Sequence, residues 1–541
     1  MIRTKALNFL LFAVSIVFFG YLFYIQFFQH QYYEKRARQQ HEKKFMLFGS
    51  RGNIYDRNGI PIATSEQCFS VFCTPRYAGD ASRLAREIAR ISGEPRDRMK
   101  KLINTREFFW IEMKVDQTKR DRYLAIDDPS IGFTHDLNRR YNMPDIFASL
   151  IGRCGSDNRG IEGLELQFDE ILSGESGFAV YQKDPSGDVF PHHNHPEKRP
   201  QPGSNVYLTI DLQLQAVLHE KLKGCLEKQK ARSAAGVIVE PGTGRILAMV
   251  NVGGDRDHRN HVICDEFEPG STFKLMPLTF ALQNGALETD VIDTETGKIK
   301  VRGHLINDYR DYGIVTLRQA IAHSSNVAMV KLSRKFNREG FMLMVRDFGF
   351  GEVTGIEFPG ETRGRMPDAQ KVNEVEFATL VFGQGLTVNL LQLAMAYQAI
   401  ANDGVLCKPT ILQTIRDRGK TVHEVNPLRI RRIVDASTAR RVTEILCSVV
   451  EEGSGTAAAF NGIKIAGKTG TAQKVVDGRY SNSAIIATFV GYFPADEPDY
   501  LIMLMIDEPK SDYWASTIVA PVFRDVAQSV YQMSSHHYAA K

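Results

Sequence analysis

The sequence has little of several features that mark specialised protein classes. Its 67 lysines and arginines outnumber its 63 acidic residues by only 4, too few over 541 residues to indicate nucleic-acid binding. Its seven cysteines are scattered and odd in number, and none of them shows zinc-site spacing. The signatures G-x-S-x-G and H-E-x-x-H do not occur. These observations exclude a disulfide-dense scaffold and the signature hydrolases and zinc proteases, and we predict no cofactor, no metal and no nucleic acid.

Long apolar runs are equally scarce, and only Leu7 to Phe28 is long enough to cross a bilayer. These residues carry no charge, and 22 of them in a helix span a hydrocarbon core of about 30 Å. No small-residue cleavage site follows, so we interpret the run as a retained anchor. Basic residues stand on both sides of it, but long following domains can be translocated regardless of nearby charge, so we predict an inside N-terminus. The predicted segments are a cytoplasmic tail at 1–6, an anchor at 7–28 and a stalk at 29–48.

The next part of the chain, up to about residue 204, shows no catalytic pattern. Arg51–Ala63 predicts a β-hairpin around Asn-Gly, the preferred type I′ turn. Residues 80–125 are polar, with apolar residues at helical spacing, and predict helices. Residues 183–204 are rich in proline, glycine, histidine and charge, and we interpret them as a linker or exposed loop. The histidines at 192, 193 and 195 fall in this stretch, and we predict no metal site there.

The second half of the chain, from about residue 205, predicts a sheet covered by helices. An apolar helical stripe runs from Leu214 to Leu226. β-Type runs at 235–240 and 246–252 flank a Pro-Gly turn, and apolar strands are expected at 485–491 and 500–506. A closing helix is expected at 521–533. Hairpins at both ends with helices between them favour the α+β class, with an antiparallel sheet.

Two short tracts carry residues suited to a serine nucleophile and its base. Ser271 and Lys274 are the ends of an S-x-x-K tract that follows Pro-Gly, where a helix can begin. Residues three apart share a helix face, so the Lys274 amine would lie beside the Ser271 hydroxyl and, with a lowered pKa, could take its proton. A Ser-Ser-Asn tract opens an apolar helical run, where Ser324 could relay a proton and Asn326 could hold an amide. Such a cluster is also typical of a helix N-cap.

A third tract, Lys-Thr-Gly-Thr at 468–471, lies on or at the end of a predicted strand. Gly470 would let a ligand approach the backbone closely. Lys468, Thr469 and Thr471 can bind a carboxylate. A second cation near Lys274 would also lower the pKa of that lysine, which a neutral lysine base requires.

The same tract satisfies a competing pattern, the phosphate-binding loop G-x-x-x-x-G-K-T, from Gly462 to Thr469. Residues 501–508 even resemble an apolar strand that ends in a metal-binding aspartate. A P-loop NTPase needs a buried strand before Gly462 and a helix after Lys468, and the flanking sequence favours neither. We therefore keep this function as a distant alternative.

Together, in the order S-x-x-K, S-x-N and K-T-G, the tracts match the set of penicillin-interacting serine enzymes. The chain resembles the class B penicillin-binding proteins, the membrane-anchored peptidoglycan D,D-transpeptidases, over nearly its whole length. Its anchor, length and N-terminal module are most similar to the division-specific type of bacteria with an outer membrane. Leu275 departs from the proline often found there in the family. The resemblance rests on Arg51–Gly59, Gly160–Glu165, Gly236–Val250, Phe267–Lys274, Phe382–Gly385, Gly467–Gln473 and Gly491–Pro494.

The resemblance implies a role for each tract. A penicillin-binding transpeptidase domain would occupy 205–535, on an elongated non-catalytic pedestal or dimerisation module at 49–204. Ser271 would attack the carbonyl between the terminal D-alanines of a stem peptide and Lys274 would take its proton. Ser324 and Lys468 would pass a proton to the departing D-alanine. The N–H groups of Ser271 and Thr471 would form the oxyanion hole. The implied substrate-binding residues are Asn326, Thr469, Gly470 and Thr471.

The resemblance also implies a cellular setting. It implies stem peptides as donor and acceptor, covalent inhibition by β-lactams, and an inner-membrane protein with its catalytic domain in the periplasm. A polytopic glycan polymerase and other divisome proteins are the implied partners. The sequence leaves open an elongation-specific class B transpeptidase, a penicillin sensor or β-lactamase with the same tracts, and an inactive scaffold. The long module before residue 205 argues against a secreted β-lactamase, and the intact tracts argue against a scaffold.

Overall fold

A computed structural model describes residues 2–47, 49–155, 157–183, 189–191, 197–254, 259–460, 462–476 and 478–539. The histidines at 192, 193 and 195, considered above as metal ligands, lie outside these residues. The chain divides into two compact units whose segments alternate along the sequence. Unit 1 comprises 1–51, 67–137 and 173–203, and unit 2 comprises 52–66, 138–172 and 204–541.

Both helices and strands are spread over the described chain, often in runs of one type. The α-helices are α1 (Ile2–Phe27), α2 (His30–His41), α3 (Ala81–Ser92), α4 (Arg96–Thr105), α5 (Gln117–Leu124), α6 (Pro144–Ile151), α7 (Gly163–Gln167), α8 (Asp169–Leu172), α9 (Leu212–Gln229), α10 (His261–Cys264), α11 (Leu275–Gln283), α12 (Leu317–Ala322), α13 (Asn326–Ser333), α14 (Arg338–Asp347), α15 (Glu374–Leu380), α16 (Leu390–Ala401), α17 (Ala436–Glu451), α18 (Ala515–Ile518) and α19 (Ala520–Ala539). Short 3-10 helices cover Pro75–Tyr77, Gly270–Lys274 and Thr456–Ala458.

The strands range in length from two to 15 residues. They are β1 (Glu42–Leu47), β2 (Ile54–Tyr55), β3 (Pro61–Cys73), β4 (Phe109–Val115), β5 (Ile131–Tyr141), β6 (Gly177–Lys183), β7 (Val189–Pro191), β8 (Glu197–Lys198), β9 (Asn205–Leu208), β10 (Ser233–Glu240), β11 (Arg245–Gly253), β12 (Val291–Asp293), β13 (Lys298–Val301), β14 (His304–Asn307), β15 (Ile314–Thr316), β16 (Val405–Cys407), β17 (Leu412–Asp417), β18 (Lys420–Glu424), β19 (Arg429–Arg432), β20 (Ala466–Val476), β21 (Arg479–Phe493) and β22 (Tyr500–Asp507).

Unit 1 begins with the apolar helix α1 and contains a small α/β core. Among the described residues, α1 is the one helix long and apolar enough to cross a membrane, and its apolar side chains are exposed. Helices α3, α4 and α5 confirm the helical interpretation of much of 80–125. That interpretation is wrong for β4, which pairs antiparallel with the second half of β3. Burial alternates along β4, because Phe109, Ile111 and Val115 enter the core while Trp110 and Met113 face outward.

The hairpin of β2 and β3 has a different turn from the predicted one. The two strands pair antiparallel around residues 56–60, so the hairpin is confirmed. A type I′ turn requires a positive φ at both central residues, but only Gly59 has one (+84°), so the predicted turn type is wrong. Asp56 determines the turn instead, because its carboxylate accepts the N–H groups of Asn58 (2.9 Å) and Ile60 (2.7 Å).

A buried ion pair lies in the part of unit 2 that precedes the main sheet. Arg139 Nε donates to Glu165 Oε1 at 2.7 Å, and Arg139 Nη1 donates to the Gly52 carbonyl at 2.7 Å. Glu165 is fully buried and Arg139 nearly so. These groups connect the start of the β2 hairpin to β5 and α7, so the Arg51–Gly59 and Gly160–Glu165 tracts meet in one polar cluster.

The main sheet of unit 2 is antiparallel and carries helices on both faces, as predicted. Its five strands run in the order β11-β10-β22-β21-β20. Side chains of β10 alternate between two cores: Ile238 belongs to the core that includes α9 and α19, and Val237 belongs to the core that includes α11, α16 and α17. A Cβ on Gly236 would lie 2.8 Å from a methyl of Leu504 and 3.2 Å from Leu218 of α9, so glycine allows this helix to pack closely. The predicted α+β class is confirmed, and β20 forms one edge of the sheet.

Candidate active site

The S-x-x-K tract forms the 3-10 helix Gly270–Lys274, which continues directly into α11. A 3-10 helix repeats every three residues, so Ser271 and Lys274 lie on one face, as the spacing predicted. Ser271 lines a cleft, whereas Lys274 is fully buried beneath it. The segment therefore places a hydroxyl at the surface and an amine in a low-dielectric interior.

Two contacts hold this segment from different sides. The N–H of Gly270 donates to the Gly383 carbonyl at 3.0 Å, and Gly270 has a φ of +53°, which favours glycine. Tyr397, fully buried on α16, donates its hydroxyl to the Thr272 carbonyl at 2.7 Å. The backbone on both sides of the Ser271 side chain is thus tied to neighbouring elements.

The Ser-Ser-Asn tract joins α12 to α13 and combines two functions. Ser325 caps α13, because its Oγ accepts the Ala328 N–H at 3.0 Å, so the N-cap interpretation holds for this residue. Ser324 and Asn326 instead line the cleft. Ser324 has a φ of +60°, a strained conformation for a residue with a side chain. Asp308 stabilises the turn by accepting the Asn326 N–H (2.5 Å) and the Ser325 hydroxyl (2.6 Å).

The Lys-Thr-Gly-Thr tract lies within β20, which confirms the strand prediction. The P-loop alternative is wrong, because β20 continues after Lys468 where a phosphate-binding loop would begin a helix. A Cβ on Gly470 would overlap Thr488 Oγ1 of β21 and lie 3.0 Å from Thr272 Cγ2. Glycine at 470 therefore leaves room for the neighbouring strand and for the segment that carries Ser271.

The three tracts meet at the Ser324 hydroxyl. Lys274 Nζ donates to Ser324 Oγ at 3.1 Å and to the Ser324 carbonyl at 2.5 Å. Lys468 Nζ donates to the same Oγ at 3.0 Å and to the Thr469 carbonyl at 3.1 Å. Within the described chain, Lys274 Nζ makes no hydrogen bond to Ser271 Oγ. Ser324 therefore connects the two amines, one from each of the other tracts.

Burial lowers the pKa of both lysines. Both are 0% exposed. Burial lowers the pKa of Lys274 to about 7, while the Asp308 carboxylate opposes this change. Burial also holds the pKa of Lys468 well below its ordinary value, and the charge of Lys274 lowers it further. Because the two amines share one hydroxyl, a proton on one disfavours a proton on the other. The site therefore provides a neutral amine near neutral pH.

The cleft at Ser271 has a volume of about 520 Å³, within the usual range of ligand sites. Two threonine hydroxyls lie on its wall and are already oriented. Thr469 Oγ1 is 2.7 Å from Ser454 Oγ, and Thr471 Oγ1 accepts the Ala515 N–H at 3.1 Å. Since the Thr471 oxygen is an acceptor here, its proton remains available to a ligand. The predicted residues on the wall are Ser271, Ser324, Asn326, Thr469 and Thr471.

Several wall residues were missed by sequence reasoning. Asp308 sits in a loop whose approach to the Ser-Ser-Asn tract depends on the fold, and no sequence pattern singled it out. Tyr309 packs edge-on against Trp514, with ring centroids 4.8 Å apart, and both rings are exposed at the cleft. Gln384 also lines the cleft. Its Phe-Gly-Gln-Gly tract contributed to the family resemblance, so a signal for the position existed, although not for a role.

Comparison with known families gives two matches that together cover most of the chain. Residues 234–528 match the penicillin binding protein transpeptidase domain. Residues 47–208 match the penicillin-binding protein dimerisation domain. The first match includes all three tracts, and the second includes the β2–β3 hairpin and the Arg139–Glu165 pair.

Relatives and solved structures are similar over nearly the whole chain. The probable peptidoglycan D,D-transpeptidase PenA of Neisseria meningitidis is 31% identical, over 96% of this chain and 91% of its own length. The peptidoglycan D,D-transpeptidase FtsI of Escherichia coli is 32% identical, over 88% of this chain and 82% of its own. The crystal structure of penicillin binding protein 3 from Mycobacterium tuberculosis, complexed with aztreonam, has a TM-score of 0.71 and 26% identity, and the match covers 91% of this chain and 97% of that one.

Proposed function

Because the chain belongs to the class B penicillin-binding protein family and is a peptidoglycan D,D-transpeptidase, we propose that Ser271 is its nucleophile and Lys274 the base. The observation that carries this proposal is the hydrogen bonding of both buried lysines to Ser324 Oγ, next to a cleft lined by Ser271. A neutral Lys274 accepts the Ser271 proton, directly once the substrate is bound or through Ser324. A lysine with an ordinary pKa would be protonated at neutral pH and could not do so.

The proposed acylation step makes one ester and releases one amine. Ser271 Oγ attacks the carbonyl between the two terminal D-alanines of a donor stem peptide, and its proton goes to Lys274. The C–N bond then breaks, and the leaving amine of D-alanine takes a proton relayed from Lys274 and Lys468 through Ser324. An amine on a neighbouring stem then attacks the ester, forms the cross-link and returns the Ser271 proton. The products are the cross-linked peptide and free D-alanine.

The remaining predicted residues bind the substrate and its developing charge. Thr469 and Thr471 line the cleft, and their hydroxyls can donate hydrogen bonds to the terminal carboxylate of the donor. Asn326 Nδ2 already donates to the Asn307 carbonyl at 3.1 Å, which leaves its side-chain oxygen for a peptide N–H. β20 is an edge strand, so alternate N–H groups point away from β21. The Thr471 N–H, together with the Ser271 N–H, forms the proposed oxyanion hole.

Covalent labelling tests the assignment of the nucleophile. We expect a fluorescent penicillin to label the wild-type chain and Ser271→Ala to abolish labelling while the circular dichroism spectrum is unchanged. Ser516→Ala is the matched control, because Ser516 also lines the cleft but has no part in the proposed chemistry. Persistent labelling of Ser271→Ala would reject Ser271 as nucleophile. Rapid hydrolysis of the adduct would instead favour the β-lactamase alternative.

The relatives support a proposal for the cellular role. We infer that the chain cross-links peptidoglycan at the division septum, as the name and similarity of FtsI support. Helix α1 supports a single-pass membrane anchor. We propose that the N-terminus lies inside, that the membrane is the inner membrane, and that the catalytic domain lies in the periplasm. The proposal also includes the non-catalytic module at 49–204 and the catalytic domain at 205–535. A glycan polymerase and other divisome proteins are the proposed partners. Depletion should give filaments; round cells would indicate the elongation-specific alternative.

A further inference from the structure

Glu268 lies three residues before Ser271 and connects three segments of unit 2. Its Oε1 accepts the Gly385 N–H at 3.0 Å. The Tyr480 hydroxyl, at the start of β21, donates to the same carboxylate at 3.1 Å to Oε2 and 3.3 Å to Oε1. One carboxylate thus joins the approach to Ser271, the turn after α15 and the β20–β21 hairpin.

The turn that Glu268 holds is packed against Gly270 without any side chain between them. The Gly383 carbonyl accepts the Gly270 N–H at 3.0 Å, and a Cβ on Gly383 would overlap the Gly270 carbonyl oxygen. Two residues after Gly383, the Gly385 N–H donates to the Glu268 carboxylate. These two bonds bracket Gln384, whose side chain lines the cleft with Ser271. Besides its bonds back to α15, such as Gln384 N–H to the Thr379 carbonyl at 3.2 Å, the turn is thus tied to the Ser271 segment by one backbone bond and one carboxylate.

The bond between Gly270 and Gly383 also limits the direction of the Ser271 N–H. This N–H belongs to the peptide that joins Gly270 to Ser271, and the left-handed Gly270 is held by its bond to the Gly383 carbonyl. If the turn moves, Gly270 can rotate, and the N–H no longer points to the place where a substrate oxyanion develops. On the other side, a Cβ on Gly270 would lie 3.2 Å from Ala472 Cβ of β20, so the strand beside it also limits the movement.

We infer that Glu268 is a positioning residue for transpeptidation: its carboxylate holds the Gly383–Gly385 turn and the β20–β21 hairpin, and thereby sets the oxyanion-hole geometry at Ser271. The inference rests on the proposed function, because it needs Ser271 to be the nucleophile. Glu268 touches no reacting atom. Its effect passes through Gly385 to Gly383 and then to the Gly270–Ser271 peptide, while Tyr480 connects the hairpin to the same group.

The test separates acylation from binding with a fluorescent penicillin as the probe. Labelling time courses at several concentrations give the dissociation constant of the non-covalent complex and the acylation rate constant. For Glu268→Ala we expect the acylation rate constant to fall about 10- to 100-fold, because a small misplacement of a catalytic group has an effect of this size. We expect the dissociation constant to change less than about threefold. Glu268→Gln should keep the rate constant within about threefold, since its amide oxygen accepts the same bonds.

Tyr480→Phe provides the second variant, because it removes only the hairpin contact. We expect Tyr480→Phe to slow acylation in the wild-type background and to have no further effect in the Glu268→Ala background. The two effects should not add, because the two groups act through one contact. Equal acylation rates for wild type and Glu268→Ala would overturn the inference. So would a Glu268→Gln variant as slow as Glu268→Ala, or a loss confined to the dissociation constant. A wild-type chain that is not labelled would instead refute the proposed function, and the inference with it.

Discussion

Because Lys274 and Lys468 are buried and both contact Ser324, the rate of acylation should depend strongly on pH. Only the neutral form of Lys274 can accept the Ser271 proton. With its pKa lowered to about 7, about half of the amine is neutral at pH 7, against about one in three thousand for an ordinary lysine. The acylation rate constant should therefore rise with pH through about 7, fall about fivefold from pH 7 to pH 6, and gain at most about twofold above pH 7.

A charge-removing substitution tests the cause of this profile. The Asp308 carboxylate favours the protonated amine and so raises the pKa of Lys274 against the larger effect of burial. Asp308→Asn should therefore move the midpoint of the acylation profile to lower pH. Asn326→Ala, which leaves the charge of the site unchanged, serves as a control for a general disturbance of the turn.

The assay is the rate of covalent labelling by a fluorescent penicillin between about pH 5.5 and 9, a range that includes the expected midpoint. Circular dichroism at each pH shows that the chain remains folded. A rate that does not change between pH 6 and 8 would refute the neutral-lysine mechanism. A midpoint that rises in Asp308→Asn would show that the assignment of the titrating group is wrong.

Three further predictions concern packing and charge. Gly470→Ala should lower the acylation rate at least about 100-fold, measured by penicillin labelling, because the added methyl overlaps Thr488 Oγ1; an unchanged rate would contradict the packing argument. Glu165→Ala should lower the free energy of unfolding by about 3–5 kcal/mol in urea titrations, since Arg139 would remain as a buried, unpaired charge; a change below about 1 kcal/mol would contradict this. Lys274 has a folded-state pKa below the value of 10.5 for an exposed lysine, so the unfolded chain binds the extra proton. Stability should therefore rise from about pH 7 to 10.5 and level off above, and Lys274→Met should flatten that slope in thermal melts.

The elements of unit 2 could be predicted because their patterns are strong and local. The stripe Leu214–Leu226 became α9, and the β-type runs on either side of the Pro-Gly turn became β10 and β11. The strand β4 was missed although Phe109, Ile111 and Val115 alternate with outward residues, because its polar surroundings resemble the helices on either side. The turn after β2 depends on the Asp56 side chain, which competes with the local preference of Asn-Gly.

The three tracts of the proposed active site could be predicted as residue types, but their mutual contacts could not. The S-x-x-K spacing placed Ser271 and Lys274 on one face whichever helix type formed. The sharing of Ser324 Oγ by two amines could not be predicted, since it depends on a φ of +60° at Ser324. Asp308 stabilises that conformation from a loop 16 residues earlier (324 − 308), and only the tertiary fold brings the two together.

The burial of Lys274 and Lys468 separates the surface of the cleft from the groups that we propose perform the proton transfers. Tyr309 and Trp514 form an exposed aromatic edge of the cleft, and neither takes part in the proposed proton transfer. Substitutions at such positions can change drug affinity without altering the base, so selection by an antibiotic has a route to resistance that spares cell-wall synthesis. An inhibitor whose binding depends mainly on the ester with Ser271, and little on contacts with the aromatic edge, should be the least affected by such substitutions.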